Sequence, residues 1–487
     1  MGGAGPARYL GVDIGTSVAK LALFDGAGTV LGTAGRTVPL RHPAPGRVEQ
    51  DAEAVFAAVG ELAREVCPGP ADAPRLVAVT GQGDGCWLVD DDGRPVGPAL
   101  SWLDARAADV LADWDRAGVT EAIYRRTGNS LFPGAQAPLL AWLDKHQPDR
   151  LARAATAGYC KDMVFGRLNG VRATDASDSS MPFGDGTGAG YDSGLLDACG
   201  LAHRSGLLAP VVAPLPTGAL TARAAAGTGL PAGVAVTGGP YDLPACAAGG
   251  GVTEVGSGLL TLGTTLACQV LVSGVDKSGT RAGMHLATGT PGRWLRAMPA
   301  MVGTASLDWL LALLGRQHDQ LDGLLRETAP GAGGVEVLPY LAPSGERAPF
   351  VDPAARGQFT GIGLTTTGAQ LVRALCEGLA YAARQCLEAA GLSGRLVACG
   401  GGTRSLRWLQ IFASVLGRPL ELARSPEVGA RGAVLAGLAA LGEPVDRAAW
   451  TRPDRIIDPD PAASSYYQAG YRRYLANQEA ARDRWRR

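Results

Sequence analysis

The chain has 487 residues, and its 45 Lys and Arg nearly balance its 46 Asp and Glu. This balance excludes the clearly basic surface that is typical of nucleic-acid-binding domains. The apolar fraction of 46% is sufficient for two or three domains with cores, while no apolar run reaches the roughly 18 residues of a membrane span.

The chain is expected to be cytoplasmic. Its nine cysteines form no CxxC pair, which is typical of reduced, buried thiols. The N-terminal stretch has no basic region followed by an apolar segment, so no secretory signal is predicted.

The first predicted elements are strands and helices of an α/β architecture. Residues 9–25 are predicted to form two strands joined by a turn at Gly15, Thr16 and Ser17. Asp51 is expected to cap a helix whose apolar residues recur at helical spacing. A further strand at 76–80 leads into a glycine-rich loop. Strands alternating with helices indicate an α/β class.

A short segment is repeated along the chain. Residues 14–24 and 262–272 are identical in four of eleven positions. Chance is one explanation for so short a match. The other is an internal duplication in which each half carries a turn of glycine and hydroxyl residues, and the two turns hold opposite ends of a polyphosphate. A duplication predicts two domains, 1–249 and 250–487.

The second half is also predicted to contain strands and helices. A helix is expected at about 369–390 and ends at Gly391, which suits a helix C-terminus. A strand at 395–399 then leads into three glycines and another helix. The Tyr-rich basic helix at about 465–487 is expected to pack on the surface, and no function is assigned to it.

Asp13 stands at a strand end beside the turn at Gly15, Thr16 and Ser17. Phosphate oxygens require donors that approach closely, and glycine permits that approach of the backbone. A carboxylate at this position can hold Mg²⁺. An ordinary hairpin turn is the alternative. The pattern matches neither the P-loop nor the dinucleotide-binding GxGxxG motif.

Asp242 follows a predicted strand at 233–237 and two glycines. A carboxylate there is well placed to accept a proton from a substrate hydroxyl, although a solvated turn would explain it equally well. The glycines Gly401 and Gly402 with Ser405 could form a platform for a nucleotide base. A tight turn from strand to helix is the competing interpretation.

A polyhydroxylated ligand would suit a group of polar and aromatic residues in the first half: Gln82, Asp84, Trp102, Asp104 and Arg106. Amide and carboxylate groups pair with hydroxyls, and an indole face covers the C–H side of a carbohydrate. Trp102 could instead be a core residue. The run of three aspartates at 90–92 is expected to form a hairpin turn rather than a metal site.

In their order along the chain these motifs resemble the FGGY carbohydrate kinase family, and the resemblance extends from about residue 8 to residue 442. The matching stretches are GVDIGTS at 11–17, SWLDAR at 101–106, KD at 161–162, TDASD at 174–178, GGPYD at 238–242, LGTT at 262–265, GERAPFVDPAARG at 345–357, RALCEG at 373–378 and GGGTRS at 400–405. Trp408 and Gln410 follow the last of them.

The resemblance implies a two-lobed ATPase fold like that of actin and hexokinase, made of duplicated ribonuclease-H-like domains with the active site between them. It also implies transfer of phosphate from ATP to a sugar or polyol hydroxyl, with Mg²⁺ present, and dimers are common in the family. The implied roles are Asp242 as catalytic base, Asp13 for Mg²⁺, Gly15, Thr16 and Ser17 as first phosphate loop, Gly263, Thr264 and Thr265 as second phosphate loop, Gly401, Gly402 and Ser405 at adenosine, and Gln82, Asp84 and Trp102 at the sugar.

Within the family, the xylulose kinases and their erythritol and L-xylulose neighbours look most similar. Xylulose kinases typically carry Gln-Met-His where this chain has Gln82, Gly83 and Asp84, which is similar to erythritol kinases. Residues Pro240 and Tyr241 replace glycines that usually precede the catalytic Asp. We therefore expect a four- or five-carbon polyol or ketose, since a site built around particular hydroxyls rejects analogues.

Two other classes of protein are weighed against a kinase. A non-catalytic sugar sensor on this fold would be expected to lose Asp13 or Asp242, and both are present. A chaperone or filament ATPase would share only the phosphate loops and would lack the segment at 345–357. The site residues, and not the fold, separate these functions.

Overall fold

The computed structural model describes residues 7–278 and 281–485. Up to residue 249, the strands are β1 (Arg8–Ile14), β2 (Val18–Asp25), β3 (Val30–Thr37), β4 (Leu40–Arg41), β5 (Glu49–Gln50), β6 (Leu76–Gly81), β7 (Trp87–Val89), β8 (Ala99–Leu100), β9 (Thr156–Gly158), β10 (Thr217–Ala219) and β11 (Ala235–Gly238). The helices are α1 (Ala52–Val66), α2 (Ala108–Arg116), α3 (Val119–Thr127), α4 (Gln136–His146), α5 (Pro148–Ala152), α6 (Cys160–Asn169), α7 (Ala176–Ser179), α8 (Ser193–Ala198), α9 (Ala222–Thr228) and α10 (Asp242–Gly249).

After residue 249, the strands are β12 (Gly258–Leu262), β13 (Leu266–Val272), β14 (Met284–Ala287), β15 (Trp294–Pro299), β16 (Glu336–Leu338), β17 (Gln358–Thr360), β18 (Leu396–Cys399), β19 (Leu420–Leu422) and β20 (Arg455–Ile457). The helices are α11 (Thr304–Leu313), α12 (Leu321–Arg326), α13 (Gly368–Ala390), α14 (Leu406–Leu416), α15 (Val428–Ala440), α16 (Arg447–Trp450) and α17 (Pro461–Trp485). Short 3₁₀ turns connect some of them.

Two large mixed sheets organise the described residues. The first has the order β10-β11-β6-β1-β2-β3, and the second has the order β14-β15-β13-β12-β18-β19-β20. In both, an antiparallel hairpin lies beside a parallel strand: β1 pairs with β2 and β6, and β12 pairs with β13 and β18. We call the space between the two sheets the cleft.

The two similar segments form equivalent hairpins. Ile14 pairs with Ala19 across the β1–β2 turn, and Leu262 pairs with Leu266 across the β12–β13 turn. Each turn therefore stands at the end of the central hairpin of its sheet. This placement agrees with an internal duplication.

Local signals in the sequence predicted several elements correctly. Asp51 caps α1 by accepting hydrogen bonds from the N–H groups of Glu53 and Ala54. Gly391 ends α13 with a φ of 89°, a left-handed conformation that favours glycine. The acidic run at 90–92 forms a turn. The Oδ1 of Asp90 accepts hydrogen bonds from the backbone N–H groups of Asp92 and Arg94.

Helix α15 packs on the first sheet although it comes late in the chain. It lies beside α10 and against β1 and β6. The two helices approach closely: a Cβ on Gly432 would lie 1.8 Å from the carbonyl oxygen of Ala245, and one on Gly249 would lie 1.9 Å from that of Val428. Larger side chains at either glycine would push α10 and α15 apart.

The C-terminal helix α17 was expected to pack on the surface, but it packs against α13 and contributes buried aromatic rings to the core of the second half. Tyr467, Tyr471 and Tyr474 are buried, and the hydroxyls of Tyr474 and Tyr340 lie 2.6 Å apart. Residues 486–487 of the predicted helix lie outside the described residues. Among the residues described, no helix has both the length and the apolar character to cross a membrane.

Direct hydrogen bonds also join the two halves. The N–H of Ala287, in β14, donates to Oγ of Ser180 at 3.2 Å. Asn129 uses both ends of its amide, donating to the carbonyl oxygen of Ser180 and accepting from the N–H of His285. Strand β14 of the second sheet is therefore bonded to the segments that follow α3 and α7 in the first half.

Candidate active site

Three parallel strands deliver the candidate residues to one edge of the first sheet. Strand β6 pairs in parallel with both β1 and β11, so the carboxyl ends of all three point the same way. Asp13 is the penultimate residue of β1, Gln82 follows β6, and Asp242 begins α10 after β11. The fold therefore gathers these three predicted site residues at one edge of the first sheet.

The Asp242 carboxylate is stabilised by the backbone of Leu243, which opposes the rise in its pKa, but only one of its two oxygens is satisfied. Its Oδ1 is shielded from solvent and accepts no hydrogen bond from any described residue. Burial raises the pKa of Asp242 well above its usual value, and the negative charges of Asp13 and Asp84 add to the rise. Such a group gains strongly from binding a proton or a nearby cation.

Asp13 meets the requirements for holding a cation together with phosphate. Burial raises the pKa of Asp13 to about 6, with Lys20 opposing the rise. Its Oδ2 lies against α15, where a Cβ on Gly429 would come within 2.2 Å. The described residues contain no cluster of three or more metal-ligating side chains. Mg²⁺ commonly binds one or two protein carboxylates together with substrate phosphates. The single carboxylate of Asp13 fits this pattern.

The segment that precedes Asp242 is fixed from behind by buried side chains. The N–H of Tyr241 donates to Oγ of Ser177 at 2.9 Å, and that hydroxyl donates to Oδ2 of Asp175 at 2.7 Å. Gly239 has a φ of 112°, and a Cβ there would lie 2.9 Å from Cγ of Asp175. The Asp175 carboxylate thus sets the path of the segment that leads to Asp242.

Lys161 holds Asp175 in turn. Its Nζ lies 2.6 Å from Asp162, 2.9 Å from Asp175 and 2.9 Å from Asp178, and all four side chains are buried. Burial raises the pKa of Asp162 and Asp178, while Lys161 opposes the rise. Residue types and spacing had assigned no role to this cluster, although two acidic motifs flanking a lysine in apolar surroundings could have indicated it.

The loop after β6 presents two unsatisfied oxygens. Gln82 donates from Nε2 to Gln50 at 2.8 Å, which leaves its buried Oε1 without a partner among the described residues. The Oδ1 of Asp84 is likewise buried and unpartnered there. Burial raises the pKa of Asp84 to about 7, with Arg347 opposing the rise. The ring of Tyr241 packs on Gly83, where a Cβ would lie 2.5 Å from Cζ.

Trp102 connects the loop after β6 to the first turn, the β1–β2 turn at Gly15, Thr16 and Ser17. Its Nε1 donates to Oγ1 of Thr16 at 2.7 Å, and Gln50 donates to the carbonyl oxygen of Thr16 at 2.8 Å. The guanidinium carbon of Arg347 lies 5.2 Å from the ring centre, so this face is closed to a ligand. The neighbouring Ser17 is exposed, and Gly15 donates to the carbonyl oxygen of Val18.

Asp104 and Arg106 are not ligand groups, contrary to expectation. Asp104 accepts from the N–H of Val48 at 2.7 Å and from the side chain of Arg106 at 2.9 and 2.8 Å. Arg106 also donates to Glu49 at 2.7 Å. Because the two groups satisfy each other and the backbone around them, they stabilise the loop instead of facing the cleft.

The second turn, the β12–β13 turn at Gly263, Thr264 and Thr265, borders the N-terminus of α11. Carbonyl oxygens of Gly263 and Thr264 accept from the N–H groups of Thr304 and Ala305 at 2.8 and 3.3 Å. Thr264 is exposed and Thr265 half-buried. The turn thus stands against the start of α11, whose partial positive charge favours anions.

A cavity of about 580 Å³ lies next to this turn. It is lined by Thr304, Leu307, Asp308, His318, Asp319, Leu321, Asp322, Gly401, Gly402, Arg404, Ser405 and Trp408. Gly401 leaves open space for a ligand, whereas a Cβ on Gly402 would lie 2.8 Å from Cβ of Leu262. Ser405 caps α14 and donates to Asp322, so its hydroxyl is already engaged. The glycines therefore serve both a tight turn and an open platform.

Comparison with known proteins identifies the family. The model of the FGGY carbohydrate kinase N-terminal domain matches residues 8–249, and the model of the C-terminal domain matches residues 258–441. The chain belongs to the FGGY family of carbohydrate kinases. It is therefore a phosphotransferase that acts on an alcohol group, and its fold is the two-domain sugar kinase fold of this family.

Individual relatives of this FGGY kinase cover most of its length. It is 34% identical to an erythritol kinase from Brucella abortus over 89% of this chain and 87% of that protein. It is 30% identical to a xylulose kinase from Klebsiella pneumoniae over 94% and 96% of the two chains. The crystal structure of a xylulose kinase from Rhodospirillum rubrum superposes with a TM-score of 0.86 at 30% identity, covering 99% and 100%.

Proposed function

We propose that this kinase transfers the γ-phosphoryl group of ATP to a hydroxyl of an uncharged four- or five-carbon polyol or ketose, with erythritol as the first candidate. The observation that carries the proposal is the buried, unpartnered Oδ1 of Asp242 at the cleft edge of the first sheet. The 34% identity to an erythritol kinase supports the choice of candidate.

In the proposed reaction, Asp242 accepts the proton of the substrate hydroxyl. The alkoxide oxygen forms a bond to the γ-phosphorus, the bond from that phosphorus to the bridging oxygen breaks, and ADP leaves with its electron pair. Phosphoryl transfer depends chiefly on positioning and charge neutralisation, so one proton acceptor is sufficient. Bound Mg²⁺ would neutralise phosphate charge, and Asp13 would hold it there.

The two hairpin turns are the proposed phosphate loops. Gly15, Thr16 and Ser17 would donate from one side of the cleft, and Gly263, Thr264 and Thr265 from the other, each at the end of a central hairpin. The adenosine would occupy the cavity along Gly401 and Gly402. Because Ser405 is bonded to Asp322, we assign Ser405 to shaping this cavity by capping α14.

Unsatisfied acceptors support a substrate with several hydroxyl donors. Gln82 and Asp84 each present a buried oxygen without a partner among the described residues. Substrate hydroxyls would supply the missing hydrogen bonds, and an analogue lacking one would leave the oxygen unpaired. Three carboxylates in the same region, Asp13, Asp84 and Asp242, disfavour an acidic sugar.

We place the domain boundary between residues 249 and 250, after α10 and before β12. A cytoplasmic location is supported by the nine cysteines, which are all unpaired. A homodimer remains a prediction, and light scattering of the purified protein checks it.

The test is ADP release with Mg-ATP on D-xylulose, L-xylulose, D-ribulose, erythritol, ribitol, xylitol, D-arabinitol and glycerol. Asp242→Asn should abolish transfer and leave ATP binding intact, whereas Asp92→Asn, at an exposed turn, should match the wild type. Retained turnover in Asp242→Asn would remove it from the role of base. ATP binding without turnover on any compound would instead support a sensor.

A further inference from the structure

Arg347 crosses the cleft to meet residues of the first half. It lies between β16 and β17, in the second half of the chain. Its guanidinium carbon is 5.2 Å from the ring centre of Trp102 and 5.4 Å from that of Phe132. Both distances are within the range of cation–π contact, so two aromatic rings of the first half hold the charge.

The backbone around Arg347 is fixed by a buried carboxylate. Oε1 of Glu346 accepts from the N–H groups of Met301 at 2.9 Å, Arg347 at 2.8 Å and Ala348 at 3.3 Å. The Nε of Arg347 donates to the carbonyl oxygen of Pro299 at 3.0 Å. The guanidinium is thus oriented by its Nε, while Nη1 and Nη2 donate to none of the described residues.

Arg347 and Asp84 both lie beside Trp102: the guanidinium carbon is 5.2 Å from its ring centre, and a Cβ on Gly85, next to Asp84, would lie 3.2 Å from its backbone nitrogen. Their charges act on each other: Arg347 opposes the rise in the pKa of Asp84 that burial causes. No hydrogen bond joins the two side chains, and the Oδ1 of Asp84 is buried and unpartnered within the described part of the chain. Arg347 thus offers free donors and Asp84 a free acceptor, and a group that both accepts and donates hydrogen bonds would satisfy the two.

An alcohol is such a group, because each hydroxyl donates one hydrogen bond and accepts others. We propose that Arg347 is a substrate-binding residue that completes the polyol site from the second half, donating to one hydroxyl while Asp84 accepts from its neighbour. The inference rests on the proposed function. It predicts that the ligand needs two adjacent hydroxyls away from the one that is phosphorylated.

Bridging also couples substrate binding to the relation between the two halves. Asp84 belongs to the first half and Arg347 to the second, so a polyol that contacts both stabilises their approach. Without Arg347, the substrate would contact the first half alone. A variant without the Arg347 guanidinium should therefore lose affinity for the polyol. Its affinity for nucleotide, which is bound elsewhere in the cleft, should be retained.

The test measures dissociation constants by calorimetry for Arg347→Met and Arg347→Lys, with erythritol and the best panel compound. Loss of a charged donor should weaken polyol binding about 10- to 100-fold in Arg347→Met. The affinity for a non-hydrolysable ATP analogue should stay within about twofold. Arg347→Lys, which keeps the charge but not the planar fork, should fall between.

Arg384→Met is the matched control. Arg384 also stacks on an aromatic ring, 4.1 Å from that of Tyr471, but belongs to the packing of α13 and α17. Its polyol affinity should equal that of the wild type. In a double-mutant cycle, Asp84→Asn and Arg347→Met should be non-additive, because one ligand bridges both.

Unchanged polyol affinity in a folded Arg347→Met protein overturns the inference. If Arg347→Met does not fold, unchanged polyol affinity in Arg347→Lys overturns it instead. Wild-type phosphorylation of a panel compound together with such a result removes only the role of Arg347. A wild type that neither binds nor phosphorylates any panel compound removes the proposed function as well.

Discussion

The backbone N–H of Tyr241 donates a 2.9 Å hydrogen bond to Oγ of Ser177, and that hydroxyl is itself held by Asp175. Since Asp175 is paired with Lys161 at 2.9 Å, a buried chain of polar contacts leads from a lysine to the residue before Asp242. The position of the proposed base is therefore set by buried side chains that hold the backbone just before it.

Ser177→Ala should lower kcat about tenfold and change KM little, because the Tyr241 N–H loses its acceptor and the Asp242 segment loses its register. Steady-state kinetics with the best polyol measures both constants. Ser179→Ala is the matched control: its hydroxyl is equally buried but donates only to the carbonyl oxygen of Ala176. Equal kcat values in the two variants would contradict a positioning role for Ser177.

Lys161→Met should destabilise the protein by about 3–5 kcal/mol at pH 8, because it leaves three buried carboxylates without their cation. The loss should shrink toward pH 5, since protonation of Asp162 and Asp178 removes the repulsion, in line with the raised pKa of both groups. Urea unfolding at the two pH values measures this. Lys145→Met, on the exposed side of α4, should lose little at either pH. A pH-independent loss would argue against carboxylate repulsion.

Asp84 should make the ligand-free protein less stable as pH rises. Its pKa is about 7 in the fold and about 3.9 when unfolded. Between these values the native state binds more protons than the unfolded state, so the free energy of unfolding falls with increasing pH. Asp84→Asn should remove this slope and add up to about 4 kcal/mol at pH 8, but little at pH 4.

Thermal unfolding across that pH range, without ligand, measures the effect, and Asp92→Asn serves as an exposed control. The same Asp84→Asn protein should bind polyol more weakly. If Asp84→Asn is no more stable than the wild type at pH 8, the buried Asp84 carboxylate does not lower the free energy of unfolding.

Trp102→Phe should raise the KM for ATP by about two- to tenfold, because Oγ1 of Thr16 loses the indole N–H that orients it in the first turn. Initial rates at varied ATP and saturating polyol measure the change. Trp114→Phe, on α2, is the control. If Thr16→Val and Trp102→Phe have additive effects on this KM, the indole does not act through Thr16.

The elements that sequence could predict depend on neighbouring residues. The turns after β1 and β12, the Asp51 cap and the Gly391 stop all follow from residues within a few positions. Asp242 was recognisable because a strand and two glycines precede it. The family resemblance extended these local signals to a fold, which the family models confirm.

The missed or mistaken parts depend on contacts between distant positions. Ser177 and Tyr241 are separated by 64 positions, and no local pattern pairs them. The prediction that Arg106 contacts a ligand was wrong. Its residue type does not indicate that its guanidinium is already paired with Asp104 and Glu49. For the same reason Arg347, in a recognised motif, gave no indication that its charge would lie over Trp102.

The return of α15 to the first sheet has a consequence for how the protein is made. Phe24, Leu76 and Ala78 are buried against Val434 and other residues of α15. A ribosome must therefore synthesise residues 428–440 before the first sheet has both faces covered. A gene fragment ending at residue 249 would yield a polypeptide with a bare apolar face, prone to aggregation. Its solubility should be recovered only when the remaining segment is co-expressed.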